Sequence, residues 1–467
     1  MYSSIAATRK ALHSGTTVLS IVEHFLKEID NRKELNAFLE VFSTTARSEA
    51  LRIDQKIKDG TAGNLAGVVI GIKDNICYKD HRVSASSKIL EGFESLYTAT
   101  ALQRLLDQDA LVIGRLNCDE FAMGSSNETS AFGPVKNNHN LKYVPGGSSG
   151  GSAVAVSAGL CTVALGSDTG GSIRQPASWT GTFGLKPTYG RISRYGLIAY
   201  ASSFDQVGTF TNSMEDTEII FELMSGADPF DETTSNAVYT KSTQNTQKLK
   251  VGVLKECLDH PGLDQEIKGK INELIEQLAK NDVEVIPLSF PYLEYMVPTY
   301  YVLTTAEASS NLSRFDGVHY GYRSPNAQGV EETYVLSRTE GFGPEVKRRI
   351  MTGTFVLSNE HYDAYYSQAQ RVRRVMKNAT DEMFKEVDVL LLPTTPTTAF
   401  EIGAVTDSIQ MYLQDIFTVH ANITGNPALS IPFATHQNGM PYGVQVMADR
   451  FCENKLFNFF NILNTLK

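Results

Sequence analysis

The sequence predicts a single large α/β domain, and three observations lead to that fold class. The 467 residues are 42% hydrophobic and 20% charged, a composition typical of globular proteins with a packed core. Apolar runs typical of buried strands alternate with segments of helical periodicity. The sequence contains neither an internal repeat nor a low-complexity linker. We therefore expect residues 1–467 to form one domain.

The N-terminal region, residues 1–60, is predicted to consist of helices. Apolar residues between Val18 and Ile29 follow the i, i+3, i+4 spacing of an amphipathic helix, and Thr16 or Thr17 can cap its first turn. This pattern indicates a helix that packs on a core.

The remaining elements alternate between strand and helix. Gly67–Ile72 and Leu111–Ile113 have the β-branched content of buried strands, and a helical stretch, Thr100–Asp109, precedes the second. Lys250–Leu254, a periodic helix and Val283–Ile286 form a βαβ pattern. A mainly helical excursion is expected from about residue 291 to 386. The late strands are predicted at Val387–Leu392, Leu429–Pro432 and Gly443–Met447.

Charge and composition exclude several classes of protein. Acidic residues outnumber basic ones by 52 to 42, which disfavours a broad basic face for DNA or RNA. No run reaches the roughly 18 apolar residues of a membrane span, and Met1–Gly15 lacks the apolar run of a signal peptide. The five cysteines form no CxxC pair, which indicates reduced thiols that serve packing. We predict a cytoplasmic protein that binds neither DNA nor membranes.

Residues 61–215 are predicted to form the core segment of the domain. Within it, residues 133–196 contain 13 of the 36 glycines of the chain. Gly-Gly-Ser turns occur at Gly146–Ser148 and at Gly170–Ser172. Such a turn can present a serine hydroxyl beside backbone N–H groups directed at one oxyanion. The alternative is a pair of ordinary tight turns.

Three chemical interpretations of these turns compete. A phosphate-binding P-loop needs a lysine after its last glycine, but Ser152 follows Gly150 and Gly151. A nucleophile elbow, GxSxG, matches Gly147–Gly151 with Ser149 at its centre, but none of the nine histidines lies in a pattern that identifies a base. The third interpretation uses a lysine as the base.

Lys73 is the candidate for that lysine. It follows the apolar run Val68–Ile72, and burial at a strand end lowers the pKa of a lysine. A strand-end lysine that extends to water is the alternative. No lysine has a serine three residues before it, so the serine partner must come from a distant segment.

The two serine motifs resemble those of the amidase signature family. Gly146–Ser152 reads GGSSGGS and Gly166–Arg174 reads GSDTGGSIR. Lys73 lies 75 residues before Ser148, and Ser148 lies 24 residues before Ser172, which is similar to the family's lysine, cis-serine and nucleophilic serine. The resemblance implies a large mixed central β-sheet covered by helices on both sides, a Ser-cisSer-Lys triad and a cis peptide bond at Ser148.

Three further segments resemble the A subunits of the Glu-tRNA(Gln)/Asp-tRNA(Asn) amidotransferases: Asn117–Glu128, Ser309–Gly317 and Glu340–Ile350. The resemblance implies a glutaminase that supplies ammonia for converting Glu-tRNA(Gln), with Asp-tRNA(Asn) as a second acceptor. It also implies a heterotrimer with the B and C subunits of such an enzyme, charged tRNA bound through the B subunit, and ATP with Mg²⁺ in that partner. No metal or cofactor is expected in this chain. The alternatives are a free-standing amidase acting on another small amide and a catalytically silent scaffold, against which the intact triad argues.

The resemblance also assigns roles around the triad. Neutral Lys73 would take a proton from Ser148, and Ser148 would take one from Ser172 as it attacks the glutamine amide. Glutamine would be held by Arg349 at its α-carboxylate and Asp415 at its α-ammonium, with Tyr300 as a nearby wall; Arg348 and Tyr301 are the neighbouring alternatives. The expected supports are Asp168 and Arg174, and the expected oxyanion donors are the backbone N–H groups of Thr169, Gly170, Gly171 and Ser172.

Overall fold

A computed structural model describes residues 2–241 and 249–466. Within these ranges, eleven strands form one sheet and sixteen α-helices surround it. The strands are β1 (Phe38–Val41), β2 (Val69–Lys73), β3 (Leu111–Leu116), β4 (Val163–Asp168), β5 (Phe183–Lys186), β6 (Gln206–Thr211), β7 (Lys250–Leu254), β8 (Glu284–Leu288), β9 (Val389–Pro393), β10 (Ala428–Thr435) and β11 (Pro441–Ala448). The helices are α1 (Ile5–His13), α2 (Val18–Asn31), α3 (Ser43–Lys58), α4 (Thr100–Leu106), α5 (Gly150–Ser157), α6 (Arg174–Thr180), α7 (Met214–Met224), α8 (Lys255–Leu258), α9 (Gln265–Lys280), α10 (Leu293–Asn311), α11 (Gly329–Gly341), α12 (Pro344–Val356), α13 (Gln368–Glu386), α14 (Ser408–Leu413), α15 (Val419–Thr424) and α16 (Glu453–Thr465).

The sheet is mixed, as the family resemblance implies. Its strand order is β1-β3-β2-β4-β6-β5-β10-β11-β9-β7-β8. Strand β2 is parallel to both β3 and β4, whereas β6 is antiparallel to β4. The predicted βαβ unit is present, because β7 and β8 pair in parallel on either side of α9 in the chain.

Helices cover both faces of the sheet because successive strand residues point to opposite sides. Ile70 and Ile72 belong to one apolar cluster, together with residues of α4 and α7. Val69 belongs to a second cluster, with residues of α2, α3 and α5. The prediction of a large central sheet covered on both sides is confirmed.

Most predicted elements are present with slightly different ends. Thr17, rather than Thr16, caps α2, and its side chain accepts a hydrogen bond from the Ser20 N–H group. Residues 1–60 contain the additional strand β1, which pairs with β3 at the edge of the sheet. Residues 291–386 contain the helices α10 to α13.

The described residues contain no helix that is both long and apolar enough to cross a membrane. All five cysteines are free thiols, and four of them are buried.

Candidate active site

The site forms where two neighbouring parallel strands end. Lys73 is the last residue of β2 and Asp168 is the last residue of β4. Because parallel strands have their carboxyl ends at the same edge of a sheet, these two residues and the loops after them lie together. Ser148 lies just before α5 and Ser172 lies just before α6, so both serine turns reach this edge.

Lys73 and Ser148 are in direct contact, as predicted. The Lys73 Nζ lies 2.6 Å from the Ser148 Oγ, and both side chains are fully buried. The peptide bond between Gly147 and Ser148 is cis. A second hydroxyl, that of Ser167, accepts a hydrogen bond from the Lys73 amine at 3.0 Å and one from the Asn75 amide at 2.9 Å. The lysine therefore does not extend to water.

Burial gives Lys73 the properties of a base. Loss of water around the amine lowers its pKa to about 8, although several buried acids nearby, among them Asp119 and Asp168, act in the opposite direction. Roughly a tenth of the side chain is therefore neutral at pH 7, which supplies the unprotonated amine that a proton acceptor requires.

The Ser172 turn lies against the Ser148 turn through the backbone. The Ser149 N–H group donates to the Ser172 carbonyl oxygen at 3.2 Å. Ser172 itself is 8% exposed, so the predicted nucleophile is more accessible than Lys73 and Ser148. This arrangement places all three predicted triad residues at one site.

Asp168 holds the backbone of the Ser172 turn. Its two carboxylate oxygens accept hydrogen bonds from the Gly171 N–H group at 2.9 Å and the Ile173 N–H group at 3.1 Å. Arg174 binds the same carboxylate through Nε and Nη2 at 3.1 and 2.9 Å. Burial raises the pKa of Asp168, but the Arg174 guanidinium outweighs it and lowers the pKa to about 2. The carboxylate thus stays ionised, and both residues have contacts suited to their predicted supporting role.

The expected oxyanion hole needs one correction. The Gly171 N–H group is engaged by Asp168, so the prediction that Gly171 supplies a free donor is wrong. Among the described residues, the N–H groups of Thr169, Gly170 and Ser172 meet no protein acceptor. These three remain predicted donors.

Arg349, which is predicted to bind the α-carboxylate of glutamine and is called the clamp below, lies on α12 with its guanidinium buried. Arg349 is 4% exposed, and its Nε donates to Glu345 at 2.8 Å while its Nη1 donates to the Tyr200 hydroxyl at 2.8 Å. The neighbouring Arg348 instead has a half-exposed side chain that pairs with Glu345 at the surface. Both arginines line one cavity of about 630 Å³, but Arg349 is the buried one, which favours it over Arg348 as the residue that binds the ligand.

Asp415 is also buried, at 6% exposed, and interacts electrostatically with Arg349. Burial raises its pKa to about 7, against the opposing effects of the Ser125 hydroxyl and Arg349. The Ser125 Oγ donates to its carboxylate at 2.6 Å. A ligand ammonium group would favour the ionised form of this carboxylate.

Tyr300 connects the clamp region to the Ser172 turn. A Cβ atom at Gly170 would come within 2.6 Å of the Tyr300 ring and hydroxyl, so glycine permits this close approach. The alternative residue, Tyr301, stacks on Tyr412 with ring centroids 4.0 Å apart and lies beside the Arg349 guanidinium. The same cavity, lined in part by Ser125 and Arg349, opens beside the clamp.

Several residues of this site were not predicted from the sequence. Ser125 holds Asp415 although 290 positions separate them, and Tyr200 holds Arg349 across 149 positions. Ser167 belongs to the glycine-rich motif, but no sequence pattern predicted its contact with Lys73. Only its position next to the end of a buried strand, one residue before Asp168, could have suggested it.

Known proteins match this chain over nearly its whole length. The model of the amidase family matches residues 20–457. The chain belongs to the amidase family. It is 47% identical over 470 residues to the A subunit of glutamyl-tRNA(Gln) amidotransferase from Chlorobium phaeobacteroides, with 99% of this chain and 98% of that protein covered. The corresponding protein of Koribacter versatilis is 48% identical, covering 96% and 95%.

Solved structures of the amidase family share the fold. The A subunit of glutamyl-tRNA(Gln) amidotransferase from Thermotoga maritima superposes with a TM-score of 0.78 at 38% identity and covers 95% of this chain and 93% of its own. A structure described as an amidase gives a TM-score of 0.85 at 28% identity, covering 99% of each chain.

Proposed function

We propose that this chain is the glutamine-hydrolysing subunit of a glutamyl-tRNA(Gln) amidotransferase, a ligase that forms C–N bonds with glutamine as the amide donor. The observation that carries the proposal is the 2.6 Å contact between the buried Lys73 amine and the Ser148 hydroxyl, beside the Ser172 turn. The names of relatives at 47 to 48% identity over nearly the whole chain support the choice among amidase activities.

The residues support a stepwise transfer of protons. Neutral Lys73 accepts the Ser148 proton, Ser148 accepts the Ser172 proton, and the Ser172 oxygen attacks the side-chain amide carbon of glutamine. Backbone N–H groups of the turn stabilise the resulting oxyanion, and each such donor is worth roughly 10²- to 10³-fold in rate. Ser148 then donates one proton to the leaving nitrogen, which departs as ammonia, and Lys73 returns its proton to Ser148. Water then hydrolyses the acyl-enzyme and releases glutamate.

The charges around the cavity suit a free amino acid. The guanidinium of Arg349 can bind an α-carboxylate through two parallel hydrogen bonds, and Asp415 can bind an α-ammonium. Tyr300 lies against Gly170 of the Ser172 turn and interacts electrostatically with both Arg349 and Asp415. The two opposite charges select an amide substrate that carries both ionised groups.

The ammonia is used by a multi-subunit complex. We expect the B subunit to activate glutamate on the tRNA with ATP and Mg²⁺, and the C subunit to join it with this chain in a heterotrimer. The tRNA contacts are assigned to the B subunit, since this acidic chain has no sequence signal for binding nucleic acid. Asp-tRNA(Asn) is the second acceptor of ammonia to be tested, in comparison with Glu-tRNA(Gln).

The decisive experiment measures glutamine hydrolysis by the co-purified subunits, with and without ATP and charged tRNA. We expect glutaminase activity that requires Ser172 and rises when ATP and Glu-tRNA(Gln) are present. Faster hydrolysis of aryl or aliphatic amides than of glutamine would instead favour a free-standing amidase. Absence of any acyl-enzyme on Ser172 by mass spectrometry would favour a non-catalytic scaffold.

A further inference from the structure

A buried carboxylate outside the predicted site, that of Asp205, faces the Ser172 turn. The antiparallel pairing of β4 with β6 places Asp168 opposite Gln206. The residues just beyond this pair, Thr169 and Asp205, are therefore also neighbours. Asp205 is 3% exposed and does not belong to the triad or to the clamp.

Asp205 uses both carboxylate oxygens to hold neighbouring segments. Its Oδ1 accepts a hydrogen bond from the Thr169 hydroxyl at 2.7 Å. Its Oδ2 accepts the backbone N–H groups of Tyr200 and Ala201 at 2.9 and 3.0 Å. A carboxylate can only accept at these positions, so the direction of each hydrogen bond is fixed.

The same network continues from Tyr200 to the clamp. The Tyr200 hydroxyl accepts a hydrogen bond from Arg349 at 2.8 Å and donates to the Thr304 Oγ1 at 2.9 Å. Thr304 in turn donates to the Tyr300 carbonyl oxygen at 2.8 Å. One hydrogen-bonded path thus joins Thr169 to Arg349 through Asp205 and Tyr200.

Each residue that precedes Ser172 in its turn has its own anchor. Asp168 holds the Gly171 N–H group, and the Thr418 hydroxyl donates to the Gly170 carbonyl oxygen at 2.7 Å. Asp205 holds Thr169 through the threonine side chain. Without this third anchor, the first residue of the turn lacks a side-chain restraint.

We propose that Asp205 is a positioning residue that aligns the Ser172 turn through Thr169 and, through Tyr200, fixes this turn relative to the Arg349 clamp. The assignment of glutamine as the ligand of the clamp rests on the proposed function. Asp205 itself does not contact the reacting atoms in this role. It sets where the oxyanion donors lie relative to a substrate held by Arg349, and a displacement of about 1 Å can cost roughly 100-fold in rate.

The first test removes one hydroxyl in the purified full-length chain. Thr169→Val should lower kcat by roughly 10- to 100-fold with little change in KM, for glutamine and for a simple aliphatic amide alike. Thr169→Ser keeps the hydroxyl and should restore most of kcat. The matched control is Thr209→Val in β6: Thr209 is equally buried, and its hydroxyl meets no partner among the described residues.

The second test separates the two arms of the network. Tyr200→Phe should raise KM for glutamine by about 10-fold while leaving the simple amide nearly unchanged, because it removes one support of Arg349. Asp205→Ala should combine a lower kcat with a higher KM. Adding Thr169→Val to Asp205→Ala should lower kcat no further, since the same hydrogen bond is already lost. If Asp205→Ala does not fold, the Thr169 and Tyr200 variants alone test whether Asp205 positions the turn and the clamp.

Equal kcat values for Thr169→Val, Thr169→Ser and wild type would overturn the proposal, as would additive effects of the Thr169 and Asp205 changes. A loss of activity in Thr209→Val equal to that in Thr169→Val would do the same, because it would show a general packing effect. Failure of the co-purified wild-type subunits to hydrolyse glutamine would overturn the proposed function instead. The simple amide would still compare Thr169→Val with Thr169→Ser and decide the positioning role.

Discussion

At the scale of single residues, the chemistry depends on how Lys73 is buried. A lysine at a strand end ordinarily extends to water, and the sequence alone left that alternative open. The structure closes it, because the amine is enclosed by the Ser148 and Ser167 hydroxyls. One nearby carboxylate, Asp168, is already paired with Arg174, so it does not fix the lysine in its charged form. Because Lys73 contacts neutral hydroxyls while Asp168 is paired with Arg174, Lys73 can lose its proton.

Replacing Lys73 by arginine tests this role. Lys73→Arg preserves the positive charge, but a guanidinium stays protonated and cannot act as a base. We expect glutamine hydrolysis to fall as far as in Lys73→Met, measured as ammonia release after circular dichroism confirms folding. A lysine that only balanced charge would tolerate arginine, so substantial activity in the arginine variant would remove Lys73 from the proton transfer.

The lowered pKa of Lys73 predicts a pH dependence. The active form is the neutral amine, whose fraction rises with pH until the pKa of about 8 and then levels off. Below that point kcat should fall by about tenfold for each pH unit, since one proton is involved. Initial rates at saturating substrate should rise with pH in the same way for glutamine and for an amide without an α-ammonium group. Asp415 has no ammonium group to bind in the second substrate, so that pH profile reports Lys73 without a contribution from Asp415. A kcat that is flat between about pH 6 and pH 9 would contradict this assignment.

At the scale of elements, prediction succeeded where a pattern is local. The helix α9 and the strands β7 and β8 follow from periodicity within one short stretch of chain. The short strand β1 escaped prediction because its residues are only partly buried at the edge of the sheet, where side-chain alternation is weak. The serine turns were found because glycine and serine spacing is also local. The contacts of Ser125 and Asp205 depend on segments that only the folded sheet brings together.

The helix α12 carries Arg349, the proposed substrate clamp, and its two adjacent arginines allow a matched comparison. Arg349→Ala should raise KM for glutamine by roughly 10- to 150-fold, the value of a charge-assisted pair buried with its ligand. Hydrolysis of an amide without an α-carboxylate should change little, because the Ser172 turn is not touched. Steady-state kinetics on both substrates measures this selectivity.

Arg348→Ala is the control, because that side chain is half-exposed and pairs with Glu345 at the surface. It should leave both substrates nearly unaffected. If Arg349→Ala weakened both substrates equally, Arg349 would be structural. If Arg348→Ala alone raised KM, the clamp would be the neighbouring arginine.

At the scale of the whole molecule, the site joins two parts of the chain. The sheet edge of residues 61–215 supplies the proposed triad and its turn, while Tyr300 and Arg349 come from the helices after residue 291. Both parts contain residues that were predicted from the sequence, but the two sets were predicted from different kinds of evidence. The catalytic residues lie in short local patterns, whereas the clamp was inferred only from resemblance. The helical region after residue 291 therefore completes a site whose predicted catalytic residues lie at the sheet edge.

The proposed function, in which ammonia passes to a partner subunit, predicts that the later amidation survives loss of the nucleophile. Ser172→Ala removes one oxygen and no core volume, so the fold and partner binding should be intact while glutamine hydrolysis falls by about 10³-fold or more. Ammonium chloride should then restore ATP-dependent formation of Gln-tRNA(Gln) by the complex, because that step needs only ammonia. Charged-tRNA analysis with glutamine or ammonium chloride as nitrogen source measures both activities in one preparation.

The matched control for this experiment is Ser152→Ala, which removes a buried hydroxyl that donates to the Leu165 carbonyl oxygen at 3.0 Å. It should retain activity with either nitrogen source. If ammonium chloride failed to restore amidation in Ser172→Ala although the subunits still co-purified, Ser172 would also affect the partner's reaction. The separation of hydrolysis from amidation would then be wrong, since the second step would depend on more than the ammonia that this chain releases.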